Sequence, residues 1–282
     1  MKKNISFYIP AYNAEKTIKK SITSIQNQSI TPDEIILIDD CSKDNTVEIA
    51  RSEFPNIKIF INKENMGLGY NRNSAIDRAR NDIIAAIDAD VILDKYWLES
   101  LIPEIEKKNI LMCGGRMDEQ LIENKINLWR AKYYSQNWGN KLVLDPPFLF
   151  GCNTLLIKSA WKKVNGYDEK LKTNGEDIDF IHKIKSRTDG QIIYQPSAKC
   201  YHLQDDSIET LSKRVWRYHS FAYKIKEPSF KKFFKLSIKQ SKFFFQRFFK
   251  SLMELDLSSI SISFKVLINF IKLEYIFLNK KK

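Results

Sequence analysis

Four short apolar runs, set apart by amphipathic stretches, dominate the first ninety residues of this chain. ISFYI (5–9), EIILID (34–39), IKIFIN (57–62) and DIIAAID (82–88) are Ile-rich and too short to be helices of ordinary length. Between the first two, residues 14–28 place Ile18, Ile22 and Ile25 on one helical stripe. Helical segments at about 45–51 and after Gly67 separate the others. Near-continuous Val/Ile/Leu strands alternating with helices predict an α/β fold. Its central sheet is mostly parallel, with helices on both faces and right-handed crossovers.

Two of these strands stop at acids, Asp39 and Asp40 after EIILI, and Asp88 and Asp90 in AAIDADVI. Ligands of such sheets gather beyond the carboxyl ends of the strands. Hard cations such as Mg2+ or Mn2+ prefer carboxylates and often bridge to phosphate oxygens. Asp88-Ala89-Asp90 is therefore read as a metal and polar-ligand site, one acid on the metal and the other on a sugar hydroxyl or a water. A lone DxD can equally be a polar turn; the matching acids at Asp39 and Asp40 weigh against that.

Further along, YWLESLIPEIEKK reads as a helix and ILMCGGRMD as a strand. The aromatic segment from about Asn124 to Trp138 reads as helical. PPFLFGCNTLLIKSAWKKVNGYD combines a turn, a strand and a short helix, and GEDIDFIHKIKSR is a helix entered through acids, where free amides favour negative charge. IIYQP and KCYHL read as two short strands, followed by another helix.

The formal charge of +12 is uneven: from Lys224 onward there are 14 Lys/Arg against four acids, leaving +2 for the preceding 223 residues. The basicity belongs to the tail, so the chain as a whole does not read as a nucleic-acid binder. Within the tail, Phe and Lys residues form separate stripes at helical spacing. Such a helix suits an anionic membrane surface through residues 228–282, or packing on the preceding domain or on another subunit, as in a homodimer. Cys41, Cys113, Cys152 and Cys200 lie far apart without CxxC spacing, which suits a reducing compartment. The opening apolar run is too short for a signal peptide and no run is long enough to span a bilayer. The expected location is cytoplasmic, peripheral on the inner face of the cytoplasmic membrane if the tail binds there.

Three segments together resemble the family 2 glycosyltransferases of GT-A fold, nucleotide-sugar-dependent enzymes. SFYIPAYNAEKTIKKSITSIQNQSITPDEIILIDDCSKDNT looks like their nucleotide-binding half, and NKENMGLGYNRNSAIDRARNDIIAAIDAD like the helix leading to their DxD. FGCNTLLIKSAWKKVNGYDEKLKTNGEDIDF looks like the acceptor side. The resemblance covers about residues 4–220. It implies a catalytic domain over 1–223, with a nucleotide-binding half to about 115 and an acceptor-binding half over 116–223, and a basic helical extension over 224–282.

By the same resemblance Ala11 and Tyr12 line the nucleobase pocket, Pro10 and Asn13 beside them belong to the nucleotide-sugar-binding residues, and Asp40 holds the uracil ring. Asn65, Gly67 and Arg72 lie close to the nucleotide, with Asp88 and Ala89 near the ribose. Asp90 is the direct metal ligand, joined by Asp88 and His202. Asp177 is the catalytic base, Glu176 orients the acceptor or the helix start, and Arg217, between Trp216 and Tyr218, lies near the diphosphate. A structural role for His202 stays open. Cys41 departs from the family, which usually has glycine there. KRVWRY differs from the Gln-x-x-Arg-Trp of processive synthases, favouring transfer of one sugar per encounter. The implied activity is metal-dependent, inverting transfer from a nucleotide-sugar, a UDP-sugar by resemblance, to a glycan or lipid-linked acceptor in surface polysaccharide or lipooligosaccharide synthesis. A nucleotidyl or sugar-phosphate transferase on a similar sheet, and a non-catalytic carbohydrate-binding protein, are the alternatives.

Overall fold

A computed structural model describes residues 4–221 and 229–279. The terminal lysines 280–282 and the start of the basic tail, residues 222–228, lie outside the described residues. In chain order the elements are β1 (Ile5–Ala11), α1 (Ile18–Gln26), β2 (Glu34–Asp39), α2 (Thr46–Glu53), β3 (Lys58–Ile61), α3 (Leu68–Arg78), β4 (Ile83–Ile87), β5 (Val91–Leu93), α4 (Trp97–Ile105) and β6 (Ile110–Glu119). Then come α5 (Lys125–Tyr133), β7 (Val143–Leu144), β8 (Asn153–Ile157), α6 (Lys158–Lys163), α7 (Glu176–Arg187), β9 (Gln191–His202), α8 (Ile208–Phe221), α9 (Phe230–Met253) and α10 (Leu257–Asn279). They form two units, Met1–Gln120 with Gln136–Leu203, and Leu121–Ser135 with Gln204–Lys282.

The first unit is built on one sheet in the order β3-β2-β1-β4-β8-β6-β9-β5, with β7 added on β9. The half from β3 to β4 is wholly parallel, as the Ile-rich runs predict. Every residue of β1 and β2 is buried, which is why those strands read as continuous apolar runs rather than alternating ones. Alternation survives in the choice of face. Phe7, Ile9 and Leu37 join one core with Ile18, Ile22 and Ile25 of α1. Tyr8, Ile36 and Ile38 join another with Ala75 and Ile76 of α3 and Phe180, Ile181 and Ile184 of α7. That is the expected helix–sheet–helix layering. Beyond β4 the sheet turns mixed: β8 is antiparallel to both β4 and β6, whereas β6 and β9 run parallel.

IIYQP and KCYHL prove to be one strand, β9, with a register shift opposite Gly115 and Arg116. Pro196 lies at that irregularity, where a residue without an N–H is tolerated. Proline marks the bulge and does not end the strand.

The second unit is helical. Trp129 of α5, Leu211 and Val215 of α8, Leu236 of α9 and Ile262, Val266 and Phe270 of α10 form its core. Trp129 Nε1 donates to Ser263 Oγ at 2.8 Å, and Arg130 pairs with buried Asp206. Packing thus divides the chain after Leu203 and adds residues 121–135 to the second unit, whereas charge alone marks a boundary at 223. The two differ because α8 carries its share of the helical core without the lysine excess that makes the tail conspicuous. The helix expected over about 124–138 is shorter, ending at Tyr133, because Gln136 leaves it to bridge Met117 of the first unit's sheet.

Candidate functional site

At the carboxyl ends of β1 and β2 the chain makes two left-handed turns. Asn13 has φ +51° and Cys41 φ +66°. Asn13 N–H donates to Ser42 Oγ, and Asn13 Oδ1 accepts from Lys43 N–H at 2.8 Å, so the two loops hold each other. A glycine adopts such a φ freely while cysteine is strained there, so Cys41 keeps the backbone conformation that a glycine would serve. Pro10 and Ala11 are buried at the end of β1, paired with Ile38 and Asp39. Tyr12, 52% exposed, presents a free ring face beyond them.

Asp40 is buried and its carboxylate is already engaged. Oδ1 accepts from Met66 N–H and Asn62 Nδ2, both at 2.8 Å, and Oδ2 from Gly67 N–H at 2.9 Å. The acid expected at the base therefore clasps the loop carrying Asn65, which is exposed, and Gly67, which opens α3. Gly67 has φ +89°, and a Cβ there would meet Lys172 Cβ at 2.7 Å. Only glycine serves both the turn and the close approach. Asp39 accepts from Ser42 N–H through Oδ2; its buried Oδ1 has no hydrogen-bond partner among the described residues.

Arg72 is the hub of the site. It shares the buried face of α3 with Gly69, Ala75 and Ile76, one turn apart. Its guanidinium, 1% exposed, donates to Asp88 Oδ1 at 3.0 Å, Gly151 O at 2.9 Å, Tyr8 Oη at 3.3 Å and Glu176 Oε1 at 3.4 Å. It also lies 5.9 Å from the centre of the Tyr167 ring. An arginine expected to sit close to the nucleotide is thus buried in protein contacts, tying the DxD turn to the GED helix.

The DxD turn follows β4 directly. Ser21 Oγ donates to Asp88 O at 3.0 Å, and Ala89 packs into the core between the two acids. His202, at the end of β9, stands opposite Val91 of β5 and Glu119 of β6. This register sets His202 Nε2 3.3 Å from Asp90 Oδ2 and Nδ1 3.1 Å from Glu119 Oε2. Burial alone would lower the imidazole pKa, but Asp90 and Glu119 outweigh it and push it up to about 9. Burial raises Asp88 against the pull of Arg72.

On the other side, Glu176 and Asp177 open α7 after Gly175 in the left-handed region. Asp177 Oδ2 accepts from Gly151 N–H at 3.2 Å and Oδ1 from Ile178 N–H at 2.8 Å. Burial raises its pKa in spite of these donors. Glu176, 3% exposed, is pushed up to about 8 by burial and then by Asp177 beside it. Gly151 lies between Arg72 and Asp177: a Cβ there would sit 3.0 Å from Asp177 Cβ and 3.3 Å from Arg72 Nη2.

Asp88, Asp90, Glu119, Glu176 and Asp177 thus share the site with two cationic side chains, Arg72 and His202. The surplus of acids fits a divalent cation. Among the described residues no group of three His, Cys, Asp or Glu is arranged to hold a metal. The trio Asp88, Asp90 and His202 is therefore not preassembled, because Asp88 Oδ1 is taken by Arg72. What the site offers is the Asp90–His202 pair, whose imidazole must give up its Nε2 proton to ligate, with Glu119 behind the histidine as a carboxylate that orients the ring. A two-donor site of this kind suits Mg2+ or Mn2+, which bind through one or two side chains and keep open positions.

Every expected site residue but one belongs to the first unit. Arg217 is on α8 in the second, its Nε buried without a hydrogen-bond partner among the described residues. Burial, with Arg214 nearby, lowers its pKa. Sequence reading missed Glu119, Tyr8, Asn62 and Gly151. Gly151 could have been found, since FGCN places a glycine in the acceptor-side motif. Glu119 could not, because its role follows from strand register.

Residues 6–164 match the family model described as Glycosyl transferase family 2. The chain belongs to that family. This family 2 member is 29% identical over 185 residues to the chondroitin synthase of Escherichia coli, covering 64% of this chain and 26% of that protein. It is 29% identical over 224 residues to the poly-beta-1,6-N-acetyl-D-glucosamine synthase of Staphylococcus epidermidis, covering 76% and 53%. The chain therefore spans about a quarter of the first relative and about half of the second. In fold it resembles a mannosyltransferase of Pyrobaculum calidifontis solved with GDP-Man and Mn2+, with TM-score 0.62 and 13% identity, over 99% of this chain and 89% of that one.

Proposed function

We propose that this protein moves one sugar from a nucleotide-sugar, a UDP-sugar, to a hydroxyl of a glycan or lipid-linked glycan, in the synthesis of surface polysaccharide or lipooligosaccharide. The observation that carries this reading is the joining, through Arg72, of the DxD turn to the Glu176–Asp177 pair within one unit. The first element suits a charged diphosphate and its cation. The second suits a hydroxyl that must lose a proton.

Ala11 and Tyr12 offer the base an apolar floor and a ring, on loops braced by Asn13. Asp90 and His202 would hold Mn2+ or Mg2+, which when bound supplies positive charge for the leaving diphosphate. Asp177 takes the acceptor proton as the acceptor oxygen bonds to the anomeric carbon and the bond to the diphosphate breaks. Its raised pKa makes it a better base than an ordinary aspartate. Glu176, held by Arg72, keeps the helix start and Asp177 in position. A single displacement of this kind inverts the anomeric centre. The named products of the relatives, chondroitin and poly-N-acetylglucosamine, support a carbohydrate acceptor.

The test is a donor screen with UDP-, GDP- and dTDP-sugars in Mn2+ or Mg2+, alongside Asp90→Ala and Asp177→Ala. Release of one nucleoside diphosphate is expected, abolished by Asp90→Ala. Asp177→Ala should lose transfer while keeping donor binding. Absence of saturable binding by any donor in the presence of metal would overturn the reading.

A further inference from the structure

Helix α9 carries seven Lys/Arg, eight Phe and no acid in 24 residues. Only one side of it is used for packing within its unit: Leu236, Gln240 and Ser251 are buried, and Leu236 enters the core with Val266 and Phe270. Phe230, Phe234, Ile238, Phe245 and Phe249 are exposed instead. Their spacing by one or two turns draws them into a stripe along a helix about 36 Å long. The stripe continues onto α10. Phe244 contacts Phe245 and Phe248, and its ring centre lies 6.1 Å from that of Phe264, which is itself exposed. Lys231 and Lys235 follow stripe residues directly, and Lys242 lies one turn from both Ile238 and Phe245; all three are exposed.

An exposed apolar strip of this length implies an occupant. A second copy of the chain is disfavoured by charge, because two α9 helices laid together would set cation against cation with no acid on either. An anionic lipid surface satisfies both features, with rings buried at the headgroup boundary and ammonium groups against phosphate. Crossing is not the mode: no helix among the described residues is long and apolar enough to span a membrane. We propose that the α9–α10 hairpin lies on the surface of an anionic phospholipid bilayer, burying its exposed phenylalanines and pairing its lysines with lipid phosphates.

The test is flotation of the full chain with phosphatidylcholine vesicles, with and without phosphatidylglycerol. Binding should be roughly tenfold stronger with phosphatidylglycerol and weaken with salt. The K231E/K235E/K242E variant should fall to the level seen on phosphatidylcholine, and F245S/F249S should lose binding to both. Since the latter variant carries a folding risk, F249W adds a second reading. Its emission should shift to the blue at about tenfold lower lipid on anionic vesicles than on phosphatidylcholine alone. Equal partition to both vesicle types, or no partition, overturns the proposal. So does a solution dimer that F245S/F249S dissociates, which would assign the face to a second copy.

Discussion

Replacing Arg72 by methionine removes the cation that, among the described residues, pairs with both Asp88 and Glu176, while keeping most of the side-chain volume. Glu176 is almost fully buried, and Asp88 is 27% exposed at its side chain. Leaving a buried charge without its partner costs about 3–5 kcal/mol. Because Asp88 keeps some contact with water, the lower end applies, and we expect a loss of about 3 kcal/mol at pH 8.5. Glu176 has an escape, since it can take up a proton. Its folded pKa is already raised to about 8, above the unfolded carboxyl, so ionising it opposes folding. Loss of Arg72 moves that pKa further up. The part of the penalty that comes from Glu176 should therefore be level below about pH 8, where both folded proteins hold it protonated, and a further loss should open as pH rises above 8. R72M/E176Q should recover most of it. The assay is urea unfolding read by hydrogen exchange in β1 and β4 peptides, which report on the first unit alone. A loss below about 1 kcal/mol at pH 8.5, or no recovery by the second substitution, would refute the view that Arg72 neutralises these two acids.

Three other outcomes follow from single positions. Cys41→Gly should relieve a left-handed backbone worth about 1–2 kcal/mol, offset in part by glycine's chain entropy, for a net gain of several tenths in a thermal melt. Glu119→Gln should weaken Mn2+ binding about tenfold by calorimetry, because His202 loses the carboxylate that orients its ring. His219 is half-buried, and burial, then Lys239 and Arg247, lower its pKa to about 4. Its unfolded counterpart binds protons first, so stability of the second unit should fall as pH drops from about 6.5 to 4. The loss should reach about 2 kcal/mol after allowance for partial exposure and be absent in His219→Phe, as read by exchange in α8.

The parallel half of the sheet was legible because its strands are buried on both faces, and burial leaves only apolar letters to read. The DxD turn and the GED helix start were legible because acids at element ends stand out against those runs. Partners joined across the chain were not. Arg72 meets Glu176 104 positions away, and nothing local to either residue announces it. Asp40 illustrates the same limit: its place at a strand end marks it as important, yet which groups its oxygens meet depends on how the 62–67 loop folds over it. Charge marks a different division from packing, because packing of α5 and α8 involves Trp129, Leu211 and Val215 and leaves no mark in net charge.

The position of β8 has a consequence for how far this fold can be taken apart. Residues 153–157 close the open side of β4 and also supply the partner of β6. A fragment stopping near residue 115, although it contains the whole parallel half, would leave the bonding groups of β4 unpaired and its Ile-rich flank bare. Such a free edge recruits other chains. The parallel half is therefore not a separable module. Split versions of the protein should associate usefully only when the second piece brings β8, and an ancestor of the parallel half alone would have needed another strand in its place.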